Sequence, residues 1–359
     1  MLDKIRNNYK LIYKIFDSGI VYLKKTSKKN DFHNNTKVAF INLDKKIMNQ
    51  ASGRFPLVLC KYFETAGFDI VLKTAPSYYI VLHKLKTILL DQNYAFVKRM
   101  DSSLDTISIT NSSLKKIIRL HYELPEKLPQ VDYVAPFPMH PVQVLAYKNV
   151  VQKNLRNARR TMHMFFSGTN EKGEYSGKKL NQKFNVISRF DVISFIKNKL
   201  GKHIPVKAIS DQQELYTLLQ TETKDRGIVI SEVKTADADW LTFLSQSNFF
   251  IAPPGVRYPW CHNSVEAMSV GAIPILQYSN LFYPHLEHKK NCLTYTNFKE
   301  LEEAIELAYA MKEDEIAVMR QNVIDYFEAY LSPDALAKKI NDFAESAKTE
   351  IDVAVPFIV

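Results

Sequence analysis

Between Phe249 and Glu266 the chain runs from an apolar stretch, Phe249-Phe250-Ile251-Ala252, through Pro253-Pro254-Gly255 and Arg257 to Cys261-His262-Asn263-Ser264-Val265-Glu266. This order reads as a buried strand, a turn with an exposed loop, and a short helix capped by Asn263 or His262. Gly271 then turns the chain into a second apolar strand, Ile273-Pro274-Ile275-Leu276. Such a unit points a helix N-terminus at the carboxyl edge of a parallel sheet, where the backbone N–H groups of Ser264 and Val265 would bind a phosphate. Glu266, one turn in, is placed to accept hydrogen bonds from a ribose, and the two together suit a sugar nucleotide. Plainer readings exist for each residue. Glu266 also fits a first-turn glutamate favoured by the helix dipole, Arg257 a solvated cation, and His262 a cap or a water-facing ring.

The same stretch resembles the nucleotide-binding half of GT-B glycosyltransferases, and among them the exostosin-like group. The resemblance rests on Pro254-Gly255, Glu266-Ala267, Gly271 and Ile273-Pro274-Ile275, with Phe165-Phe166-Ser167-Gly168 and Arg189 matching upstream. It is specific around residues 249–276 and weaker from 160 to 345. What it implies is an α/β, GT-B-like fold: two Rossmann-like domains with parallel sheets facing a central cleft. The donor would bind the C-terminal domain, the acceptor the N-terminal one, and the last helix would cross back. The implied activity is transfer of a sugar from a nucleotide-activated donor to a carbohydrate acceptor, in surface-polysaccharide or glycan assembly. Glu266, Ser264, Asn263, His262, Arg257, Gly255, Gly168 and Arg189 would surround the nucleotide.

The chain departs from that family at three positions. Exostosins carry a Ser and an Arg shortly before the glutamate, where this chain has Cys261 and Asn263, which turns the diphosphate contacts toward Arg257, His262 or Ser264. Tyr258 stands eight positions before Glu266, where many retaining enzymes have an acidic residue, and its presence there favours inversion. Two other functions are compatible with these features: a sugar-nucleotide epimerase of the same fold, and a non-catalytic anion- or nucleic-acid-binding protein.

An inverting transfer needs a base within reach of an acceptor hydroxyl. Asp44 follows the first strand, His140 follows the strand ending at Phe137, and His83 is a third candidate. Their plainer readings are a loop cap, an exposed loop histidine and a sheet-packed histidine. Asp237-Ala238-Asp239 has the form of a metal-binding pair, but it precedes the helical run Trp240 to Leu244 and is read as a helix cap. No metal or other cofactor is therefore expected beyond the donor itself.

Around these residues the chain alternates strands and helices. Val38 to Leu43, a helix Leu57 to Ala66 with Pro56 in its first turn, Gly67, and Asp69 to Leu72 make a βαβ unit. Further strands are expected at Tyr79–Leu82, Thr106–Thr110 and Val131–Phe137, then at Met162–Phe166, Pro205–Ile209, Gly227–Ile230, Phe249–Ala252 and Ile273–Leu276. This alternation argues for two open α/β domains, 1–155 and 156–359.

The 359 residues are 46% hydrophobic and 24% charged, which excludes a disordered chain. Of a formal net charge of +10, residues 1–29 hold eight basic side chains against two acidic ones. Apolar positions Ile5, Tyr9, Ile12, Ile15 and Phe16 make that segment an amphipathic basic helix, suited to a peripheral contact with an anionic membrane. Charge concentrated at one end, with no recognition motif, argues against nucleic acid as a partner. Three cysteines without a CxxC pair suggest neither a disulfide framework nor a zinc site, and the cytoplasm is the expected compartment.

Overall fold

The run Val38-Ala39-Phe40-Ile41 offers almost no polar side chain to water, and it forms β1 (Lys37–Asn42), the start of a buried sheet. Helix α1 (Arg54–Thr65) carries Pro56 in its first turn, and Gly67, at φ +84°, ends the connection to β2 (Asp69–Lys73). A left-handed residue there favours glycine, which has no Cβ to clash. The first part continues with α2 (Lys84–Asp91), β3 (Ala95–Phe96), β4 (Thr106–Asn111), β5 (Leu114–His121) and β6 (Tyr133–Val134). The computed structural model describes residues 37–43, 54–73, 84–97, 106–111, 114–123, 130–220, 227–256 and 258–356. Asp44, His83, Arg257, the expected strand 79–82 and the basic segment 1–29 lie outside these residues.

Helices α3 (Pro141–Leu145) and α4 (Asn149–Arg156) follow, then β7 (Met162–Ser167), α5 (Lys172–Tyr175), α6 (Lys178–Phe184), α7 (Arg189–Asn198), β8 (Val206–Ile209) and α8 (Gln212–Gln220). Next come β9 (Ile228–Ser231), α9 (Trp240–Ser245), β10 (Ser247–Ile251), α10 (His262–Ser269), β11 (Ile273–Leu276) and β12 (Leu293–Thr294). The chain closes with α11 (Phe298–Ala310), α12 (Glu313–Tyr326), a π-helical turn at Phe327–Leu331, α13 (Pro333–Glu345) and β13 (Glu350–Ala354).

These elements make two α/β units: residues 1–135 with 333–359, and residues 136–332. The division falls at Ala135, not near residue 155, because α4 packs on α9 and Arg156 bonds to Ser269 O at 2.9 Å and Glu328 at 2.6 Å. Helix α13 and β13 belong to the first unit.

In the first unit the sheet order is β3-β2-β1-β4-β5-β13-β6. Every pairing is parallel except those of β4, which runs antiparallel to both β1 and β5. Helix α13 packs on α1 and β4. Lys116 of β5 is buried, and its ammonium bonds to Phe343 O at 2.9 Å and to Ser346 O at the end of that helix. A lysine so placed adds a charged donor to carbonyls at the helix C-terminus, where the dipole favours a cation.

The second unit has the order β12-β11-β10-β7-β9-β8, parallel throughout. Strands β7, β10 and β11 are buried along their full length, as expected for a parallel sheet covered on both faces. From β7 the chain goes to the β9-β8 side, whereas from β10 it goes to the β11-β12 side. Neighbouring strands whose connections diverge leave a crevice at their carboxyl ends, the usual place for a ligand in this architecture.

Candidate functional site

The β7–β10 crevice is lined by two loops. After β7 comes Gly168 at φ +151°, a backbone conformation that L side chains rarely adopt. A Cβ there would lie 3.6 Å from Arg189 Nη1 and 4.0 Å from Asn263 Nδ2, so both side chains border the same glycine. After β10, Gly255 N donates to Pro259 O at 3.2 Å, closing a small loop. Any Cβ at Gly255 would sit 2.8 Å from Tyr258 O and 3.0 Å from Trp260 O, contacts that only glycine avoids.

Arg189 joins the two loops. It is the first residue of α7, whose N-cap Ser188 accepts from Asp191 N, and it is only 7% exposed. Its Nε donates to Pro254 O at 3.1 Å, Nη1 to Thr169 O at 3.2 Å, and Nη2 reaches Cys261 Sγ at 3.5 Å, while the guanidinium covers the Tyr175 ring at 4.3 Å. Among the described residues it has no carboxylate partner. A buried cation held by neutral groups keeps a positive field that an arriving anion would neutralise.

Helix α10 begins beside it. The N-cap is Cys261, with no side-chain cap, and not Asn263 or His262 as the sequence reading had it. The register changes accordingly: Ser264 N and Ser264 Oγ both donate to Cys261 O, at 3.1 and 2.7 Å, so Ser264 is buried and closes its own turn. Val265, the fourth residue, enters the ladder, and the N–H groups without an intrahelical acceptor are those of His262 and Asn263. The Asn263 side chain donates to Ser167 O at 3.4 Å and ties this helix start to β7.

Glu266, expected to meet a ribose, is 0% exposed and accepts from three protein donors. His140 N reaches Oε1 at 2.7 Å, Trp240 Nε1 reaches Oε2 at 2.5 Å, and His262 Nδ1 lies 3.1 and 3.2 Å from the two oxygens. Burial pushes its carboxyl up, but the His262 charge and hydrogen bond, with the donors from His140 and Trp240, outweigh burial and hold it below the usual carboxylate range. The carboxylate is thus ionised inside the unit and organises two histidines, whose ring centroids are 5.1 Å apart.

His140, assigned from sequence to the N-terminal domain, sits in the second unit and caps α3, its Nδ1 accepting from Val142 N at 3.3 Å. Trp240 was missed as a site residue; its only signal in sequence is that a buried indole N–H needs an acceptor. Asp239 does occupy the N-cap of α9 but makes no capping bond, accepting instead from Tyr216 Oη at 2.6 Å. Asp237 contributes its main-chain oxygen, which accepts from Gln143 at 2.7 Å. Among the described residues no group of three His, Cys, Asp or Glu side chains could hold a metal ion, all three cysteines are free, and no helix is long and apolar enough to cross a membrane.

No protein-family model and no curated protein sequence matches the chain. Among solved structures, a glycosyltransferase from Rickettsia africae ESF-5 is similar at 8% identity, over 85% of this chain and 97% of that one, with a TM-score of 0.44. An alpha-glucosyltransferase in complex with UDP and a 13-mer DNA is similar at 13% identity, over 86% of this chain and 100% of that one, with a TM-score of 0.40.

Proposed function

We propose that the protein is a glycosyltransferase of GT-B type, taking a sugar from a nucleotide-activated donor to a carbohydrate acceptor. The observation that carries this reading is Arg189: a buried cation without a carboxylate partner among the described residues, at the switch point of a parallel sheet and beside the open start of α10. A diphosphate suits that place, since backbone N–H groups, a helix dipole and a guanidinium all favour the same charge. The 249–276 pattern described above adds the sugar nucleotide as the source of the diphosphate, with exostosin-like enzymes as its nearest pattern.

In the reaction the acceptor oxygen bonds to the anomeric carbon as the bond from that carbon to the phosphate oxygen breaks. The electron pair leaves on the nucleoside diphosphate, whose added charge Arg189 and the helix start would stabilise. The acceptor proton passes to a base, which we assign to Asp44 with inversion at the anomeric carbon, and the acceptor to the first unit. A surface-polysaccharide role, a cytoplasmic location and a membrane contact through residues 1–29 complete the reading.

A nucleotide-sugar panel screened by thermal shift tests it. A donor at 100 times its dissociation constant should add ~2.7 kcal/mol of stability. Arg189→Ala, if it folds, should bind that donor at least 10-fold more weakly, the cost of a lost charge-assisted hydrogen bond. No stabilisation by any nucleotide or nucleotide sugar would reject the reading.

A further inference from the structure

We propose a second anion site in the second unit, formed by Arg160 and Arg320 at the amino edge of its sheet and suited to a phosphate-sized dianion. It is separate from the donor crevice and does not rest on it. Strand β10 is five residues long, roughly 16 Å, and the crevice lies at its other end, so one phosphate cannot touch both. The sequence supplies the charge: residues 148–160 hold five basic side chains and no acidic one. The last of them, Arg160, stands just before β7, with Nη1 donating to Ser247 O at 2.9 Å and Nη2 to Val270 O at 2.8 Å. Arg320, on α12, reaches the same two segments. Its Nη2 donates to Asn248 Oδ1 at 2.5 Å, and its Cγ would lie only 3.1 Å from a Cβ at Gly271, a residue at φ +76°. Two guanidinium groups are thus held on neighbouring residues, Ser247 and Asn248 at the start of β10, Val270 and Gly271 before β11.

Like charges so placed call for an anion, and the protein supplies little. Neither arginine bonds to a carboxylate among the described residues, whereas Arg156 on the same segment has Glu328 at 2.6 Å. The carboxylate that acts on Arg320 is Glu313, which is exposed. Burial and the Arg320 charge push Arg160 down to about 9, and burial lowers Arg320 as well. A guanidinium nonetheless keeps its proton at neutral pH, so the repulsion stays in the fold. Unmet donors point the same way: the Nε of each arginine is buried with no acceptor, and Arg320 Nη1 makes no hydrogen bond among the described residues. Buried donors left open in a native fold mark a place for water or an ion, and two positive charges select the anion. Phosphate matches the planar donors of a guanidinium and carries charge enough for both.

The test is calorimetric titration of inorganic phosphate, against chloride at matched ionic strength, on wild type, Arg320→Gln and Lys153→Gln. Wild type is expected to bind phosphate, and Arg320→Gln to bind it at least ~10-fold more weakly. Lys153, an exposed cation of the same basic segment, serves as the control for diffuse charge: Lys153→Gln should bind phosphate as wild type does, and an equal loss there overturns the site. UDP is titrated alongside. Arg320→Gln should leave UDP affinity unchanged, and a loss as large as that for phosphate would mean one shared anion site and overturn the inference. Should Arg320→Gln fail to fold, labelling of wild type by phenylglyoxal, mapped by mass spectrometry, decides: phosphate should protect Arg320 and chloride should not, and equal labelling in both overturns the inference. Wild type that takes up no phosphate beyond the chloride control overturns it whatever UDP does, and failure to bind UDP ends the nucleotide reading alone.

Discussion

Two histidine–carboxylate pairs in this protein invite comparison. In the first unit His121 Nε2 lies 2.6 Å from Asp352 Oδ1, across β5 and β13, with side chains 36% and 37% exposed. In the second unit His262 Nδ1 lies 3.1 Å from Glu266 Oε1, a longer contact around a carboxylate that is wholly buried. Distance alone would rank the surface pair higher. Water reverses the order: exposed charges are already solvated and gain little from each other, whereas a buried carboxylate depends on every donor it has. The three donors on Glu266 come from the loop before α3, from α9 and from α10, so one carboxylate locks three segments together. The surface pair joins only two strands that are already hydrogen-bonded.

The comparison makes a graded set of predictions. Glu266→Ala orphans an indole N–H and a backbone N–H and should lose about 3–5 kcal/mol of stability in urea denaturation followed by circular dichroism. A loss below about 1 kcal/mol would mean that burial is not what separates the pairs. Gly255→Ala forces a Cβ against two carbonyls in the loop that sets the start of α10, and should cost about 1–3 kcal/mol by the same measurement. Acid offers a finer test. Because the folded Glu266 carboxyl lies below its usual range, its contribution is complete above the ordinary carboxylate pKa and is lost as pH falls through the lowered folded value. Melting temperature should therefore fall less steeply over that acid window in Glu266→Gln than in wild type. Asp352→Asn sits at the bottom of the scale, below about 1 kcal/mol, and a larger loss would remove the contrast.

Sequence periodicity placed β1, α1, β2 and every strand from β7 to β11, because their apolar runs and bounding glycines are local signals. It missed β5, whose sequence Leu-Lys-Lys-Ile-Ile-Arg-Leu-His reads as a basic stretch. Lys116 enters the interior there only because the end of α13, more than 200 residues later, supplies carbonyls for it. At the site, the glycines and Arg189 were visible as types, but the burial of Arg189 was not, since surface arginines look the same in a sequence. The Glu266–His262 spacing of one helical turn was available, yet Trp240 and His140 join them by tertiary packing alone. Helix register was the subtlest loss: moving the N-cap to Cys261 exchanges which N–H groups are open.

The position of β13 between β5 and β6 has a consequence for how the chain is made. Residues 136–332 carry every strand of their own sheet, while the earlier part lacks an inner strand and the helix α13 that covers it until residues 333–359 join it. The part translated first is thus completed last, with the flank of β5 unpaired until Glu350–Ala354 leaves the ribosome. A chain truncated after residue 332 should resist protease over its second unit and remain cleavable over its first. An open strand flank at that stage is also where a chaperone, or a second nascent chain, would attach.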